Sequence, residues 1–165
     1  MDNRLLTDPY VTMFWRPALL TEAADGLRGL GYDVRATDAG SWREPSGMHD
    51  ALARLLDFPG YYGRNLDALN DCLSDVAAGS YGSDPEARGL ALLLWHYDAF
   101  THRHPKAAFA LLDIFAVQAR GAALAGRPMV CLVQSDDPEL SFPPVGARPV
   151  GWNDAEWLHS RRLPS

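Results

Sequence analysis

Two short apolar runs, Leu90–Trp95 (LALLLW) and 128–134 (PMVCLVQ), constrain the fold of this chain most. A strand with one wet face alternates apolar and polar side chains. A run without that alternation is covered on both faces, which is the setting of a parallel strand packed by helices. The segments between and before these runs carry the helical period instead. After Pro105, the positions Ala108, Leu112, Phe115 and Ala119 form one apolar stripe, and Gly126 closes the segment. Strands alternating with helices predict an α/β fold with a small, mainly parallel sheet packed by helices in two or three layers.

The remaining elements follow from local signals. Tyr10–Trp15 (YVTMFW) is rich in β-branched and aromatic residues and reads as a strand. Pro17 opens a helix to about Leu30, ended by Gly31, and Tyr32–Ala36 alternates as a short strand. A loop over 40–47 precedes a helix with Met48, Leu52, Leu55 and Leu56 at helical spacing, for which Ser46 is the expected N-cap. Phe58-Pro59-Gly60 stops it. Asn65 caps the next helix, with Leu66, Leu69, Leu73 and Val76 as its apolar positions, and 78–89 is a loop. A proline-rich crossing over 136–149 leads to Asn153 and Glu156, whose spacing predicts a capping box opening a final short helix.

The chain has 165 residues, 47% of them hydrophobic, which suffices for a packed core. The formal net charge is −6 and the pI about 5.2. That balance argues against direct nucleic-acid binding, which needs cations to displace counterions, and leaves room for a basic protein partner. Cys72 and Cys131 fall in apolar patterns and are expected to be buried free thiols, with a disulfide between them left open. Residues 1–9 are polar and carry no leader-like apolar region. The first apolar run, Tyr10–Trp15, is broken by Thr12 and is too short to cross a membrane. The expected location is cytoplasmic, with no membrane partner.

The segment 58–73, FPGYYGRNLDALNDCL, carries the functional signal. Pro59, Gly60 and Gly63 make a constrained loop that holds Tyr61 and Tyr62 side by side, so at least one faces solvent. An exposed aromatic beside a helix start suits a binding surface. On a wheel of about 100° per residue with Leu66 at zero, Leu69, Leu73 and Val76 lie at about 300°, 340° and 280°. Asp67, Asp71 and Asp75 lie at about 100°, 140° and 180°, a row of one sign on the opposite face. No Lys or Arg occurs between Arg64 and Arg88. Like charges four apart cost a helix roughly 0.2–0.5 kcal/mol per pair. The row is therefore unfavourable in the free protein and becomes favourable against a partner that brings cations.

This segment resembles the signature of the barstar family, an aromatic-glycine loop followed by an N-L-D-A-L-x-D-C-L helix. The matching residues are Pro59, Tyr61, Tyr62, Gly63, Asn65, Leu66, Asp67, Ala68, Leu69, Asp71, Cys72 and Leu73. Leu93-Leu94-Trp95 and the stretch 111–134 are similar to later parts of the same pattern. The resemblance covers about 32–134. It implies a barstar-like core in a single domain 1–165, extended by 1–31 and 135–165.

The resemblance also implies a function. It points to an immunity protein of toxin–antitoxin type, which blocks a basic small secreted ribonuclease or nuclease toxin stoichiometrically and is a monomer when free. Asp67 and Asp71 would stand in for substrate phosphates, and Tyr61 would pack against the nuclease's catalytic histidine. Tyr62, Gly63, Asn65, Asn70 and Asp75 complete the expected partner-binding set. The chain departs from the family at Asn70, where a tryptophan is common, and at Arg64, which replaces an acid. Asp75 adds an acid, and Val117 stands where the best-known inhibitor has a contact glutamate. These changes point to a different target.

Two other readings remain in view. One is an interaction module of the same fold with a non-nuclease partner. The other is a metal-dependent enzyme using His96, His102 and His104 with Asp98 in WHYDAFTHRH, a spacing that can hold zinc. That segment is expected instead to be a polar loop. No catalytic residue, cofactor or metal is expected.

Overall fold

A computed structural model describes residues 9–163. Residues 1–8, on which the expectation of no leader mostly rests, lie outside the described residues. Five strands form one sheet: β1 (Val11–Phe14), β2 (Asp33–Asp38), β3 (Leu90–Trp95), β4 (Met129–Gln134) and β5 (Gly151–Trp152). The order is β2-β3-β4-β1-β5 and every neighbouring pair is parallel. The helices are α1 (Pro17–Gly29), α2 (Pro45–Leu55), α3 (Leu66–Ala77), α4 (Tyr97–Arg103) and α5 (Pro105–Leu124), with 3-10 turns at Ala39–Ser41 and His159–Arg162.

The two unbroken runs are covered on both faces, as their composition requires. Leu90, Leu92, Leu94, Met129, Cys131 and Val133 join one core with Met48 and Leu52 of α2, Leu69 and Leu73 of α3, and Phe115 of α5. Ala91, Leu93, Val130 and Leu132 join a second core with Leu20, Ala24 and Leu27 of α1. The fold is thus three-layered, with α1 alone forming the third layer. By length and composition α5 could cross a membrane. Ala108, Leu111, Leu112, Phe115, Ala116, Ala119 and Ala122 instead pack it into the core.

Strands β2, β3 and β4 belong to the stretch 32–134, and the flanking segments extend their sheet. β1 pairs with β4, and β5 pairs with β1 in turn. An unpaired edge on β4 would present open backbone donors and acceptors, and β1 satisfies them.

Four local expectations are corrected. Ser46 is not the cap of α2. Glu44 holds the extended N-cap position without a side-chain bond and Pro45 occupies the first turn, where a missing N–H costs nothing. The expected polar loop after Trp95 is largely helix α4, because Tyr97 and Phe100 are drawn into the core around Trp42. Leu66 is 41% exposed, outside the buried stripe of α3. Asn153 and Glu156 close a turn rather than start a helix, with Glu156 N donating to Asn153 O at 3.0 Å.

The Glu156 carboxylate is fully buried and accepts from the backbone N–H of Trp15 (2.8 Å) and Arg16 (3.0 Å). It therefore serves the entry of α1, whose N-cap residue is Arg16. Arg162 donates to the carbonyls of Pro138, Glu156 and Trp157 and lies over the Trp152 ring at 4.5 Å. These bonds tie the segment 152–162 to the β1–α1 connection and to Pro138.

Candidate functional site

Asn65 has an extended backbone, and its Oδ1 accepts from Ala68 N–H at 2.8 Å, which starts α3 where the sequence places it. Leu69, Cys72, Leu73 and Val76 are buried, so the helix is held rigidly by one face. Asp67 and Asp71 project from the outer face and are exposed. Neither makes an ion pair or a hydrogen bond with another side chain among the described residues.

Asp75 differs from the other two. It is half-buried, and its carboxylate accepts from the Tyr81 hydroxyl at 2.9 Å. Asn70 is also half-buried and accepts from Gln118 Nε2 on α5 at 2.9 Å. Val117 on α5 is 49% exposed, consistent with a position away from the core.

The loop before α3 divides the two tyrosines. Tyr61 is 83% exposed. Tyr62 turns inward, packing edge-on against Phe58 with ring centroids 4.9 Å apart. Its hydroxyl lies 2.5 Å from His49 Nδ1. Burial pushes the Tyr62 phenol up, so it keeps its proton. Burial, with the nearby Arg64 cation second, holds His49 below the usual imidazole range, so the ring stays neutral and the two groups share one hydrogen bond. Tyr62 thus braces the loop that presents Tyr61.

Gly63 is exposed, and Asn65 Nδ2 reaches back to its carbonyl at 3.4 Å. Arg64 sits in the left-handed region (φ 54°), uncommon for a residue with a side chain, and its guanidinium pairs with Asp50 of α2.

The structure therefore gathers Tyr61, Gly63, Asn65, Asp67 and Asp71 on exposed positions of one loop-helix unit, with Tyr62, Asn70 and Asp75 supporting it. Reading the sequence misses His49, Asp50 and Gln118. Each acts through a residue at least 13 positions away, and no local pattern marks that contact.

The histidines after β3 do not converge. His96 Nδ1 pairs with Asp136 at 2.8 Å, His102 Nε2 with Asp137 at 3.1 Å, and His104 Nε2 with the Arg43 carbonyl at 2.8 Å. Asp98 accepts from Asp136 N–H at 3.0 Å. Among the described residues no three His, Cys, Asp or Glu side chains are grouped to hold a metal. Cys72 and Cys131 are both buried free thiols.

Residues 32–134, more than half of the chain, match the family described as "Barstar (barnase inhibitor)". A 27-residue stretch is 70% identical to the protein named "Putative ribonuclease inhibitor YrdF" of Bacillus subtilis (strain 168). That stretch spans 16% of this chain and 30% of the relative.

Proposed function

The chain belongs to the barstar family, and from that premise we propose that it inhibits a small, basic secreted ribonuclease or nuclease toxin by filling its active site. The observation that carries this reading is the pair Asp67 and Asp71, exposed on a rigid helix and unneutralised by any described side chain. A ribonuclease cleft is built from cations that bind phosphates. Two carboxylates one helical turn apart offer such a cleft charge at a fixed spacing. Tyr61 adds an exposed aromatic, the residue type that most often anchors a protein interface. The acidic balance of the chain favours fast encounter with a basic partner and disfavours RNA itself. Inhibition proceeds by occupancy alone, needs no cofactor, and protects the cytoplasm of a cell that makes the nuclease.

Asn70 is bonded to Gln118, and Val117 offers an apolar surface. Both fit a target that differs in detail from barnase. The test is a titration of purified protein into barnase and related small ribonucleases while RNA cleavage is followed. Cleavage should stop at a one-to-one ratio for at least one enzyme. The double variant Asp67→Ala, Asp71→Ala should weaken that inhibition by about 2 kcal/mol or more, roughly thirty-fold in Kd. Unchanged inhibition by the double variant would reject these two residues as the centre of the site.

A further inference from the structure

A cleft of about 470 Å³ opens between α2 and the aromatic loop, lined by Asp50, Arg54, Phe58, Gly60, Tyr62 and Arg64 among others. Its lining residues Gly60 and Tyr62 flank Tyr61 in the chain, which places it next to the proposed inhibitory loop. Its two arginines outnumber its one aspartate, which makes it a cationic recess on a chain of net charge −6. Arg54 is exposed and has no ion pair or hydrogen-bond partner for its guanidinium among the described residues. The Arg64 side chain is 58% exposed, and Asp50 meets its Nη2. A guanidinium carries five N–H donors in a fixed fork, so most of that fork remains available. Phe58 and Tyr62, stacked edge-on, supply an apolar wall.

We propose that this cleft is a specificity subsite of the inhibitory face, and that it receives one carboxylate side chain from the partner ribonuclease. The inference rests on the inhibitor reading above. A carboxylate matches the planar guanidinium fork in shape and charge. A polyphosphate strand does not suit the same place, because Asp67 and Asp71 of the next element would repel it. The loop-helix unit therefore carries both signs, with Arg54 and Arg64 lining the cleft and Asp67 and Asp71 exposed on α3. A nuclease with cations opposite the aspartates and one acid opposite the arginines fits both halves. A uniformly basic nuclease meets like charge at the arginines, which selects against it.

The test uses the ribonuclease that the wild-type protein inhibits most tightly in a panel of small secreted enzymes, barnase included. Arg54→Glu is the main variant, since Arg54 is exposed and unpartnered and its replacement disturbs no described contact. Circular dichroism checks that the fold is kept. Arg64→Gln is the second variant, as it removes the charge and leaves an amide that can still donate to Asp50. Arg54→Glu should weaken inhibition about tenfold or more and slow association at low salt, and Arg64→Gln should weaken it in the same direction. Inhibition that is unchanged or tighter with Arg54→Glu, as a uniformly basic target dictates, overturns the subsite and leaves the inhibitor reading standing. If the wild-type protein inhibits no enzyme of the panel, the inhibitor reading falls and the subsite with it.

Discussion

At the scale of single residues, the contact between His49 and Tyr62 links the proposed binding loop to pH. His49 is 6% exposed and its folded pKa is depressed, first by burial and then by Arg64. For a group of that sign, stability is fully present above the unfolded value of about 6.5 and is lost as pH falls through the folded value. His96 has the opposite sign, since its hydrogen bond to Asp136 raises its pKa. Its contribution is complete below about 6.5 and fades as pH rises through the folded value. The two trends oppose each other in the wild-type protein. In a His96→Gln background, denaturant midpoints should fall as pH is lowered from 7.5 to about 5, and adding His49→Gln should flatten that dependence. A slope that persists in the double variant would assign it to another group.

At the scale of elements, α1 depends on a residue from the far end of the chain. The helix has Pro17 in its first turn and no cap from its own side chains. Glu156 supplies what the local sequence lacks, accepting from Trp15 N, 141 residues earlier, and from Arg16 N. Asn153 Nδ2 donates to the same carboxylate at 2.8 Å, which orients it. Glu156→Ala would leave two backbone donors without their partner and should cost about 2 to 3 kcal/mol, read as a lower urea midpoint with unchanged m-value. A loss under about 0.5 kcal/mol would mean that water replaces the carboxylate at no cost. α3 is the contrasting case. Its cap, its buried stripe and its acidic face all lie within its own residues, so the sequence foretells it closely, apart from Leu66 at its first turn. Asn153 and Glu156 are the opposite case. Their spacing suits a capping box, but the carboxylate is engaged by a different helix.

At the scale of the whole molecule, the matched stretch 32–134 shares one core and its sheet with the segment before it. Its sheet face of Ala91, Leu93, Val130 and Leu132 is covered by Leu20, Ala24 and Leu27 of α1, and the open side of β4 is paired by β1. A truncated protein of residues 32–134 would expose that apolar face and a strand edge together. It should bind a hydrophobic dye such as ANS and self-associate as concentration rises, whereas the full chain should do neither. A truncated protein that stays monomeric and dye-free would show that the third layer is dispensable. The sequence by itself determined the parallel α/β class, the capped acidic helix and the exposed aromatic loop. Each of these is written in a period, a cap or a one-signed row that spans a few turns of chain. Only the tertiary structure decided that Tyr62 braces against His49, that Arg64 pairs with Asp50 beside Arg54, and that Glu156, held by Arg162, meets the backbone of Trp15 and Arg16. Those partners meet because the fold brings distant segments together, and long-range pairing leaves no periodic trace in the residues that make it.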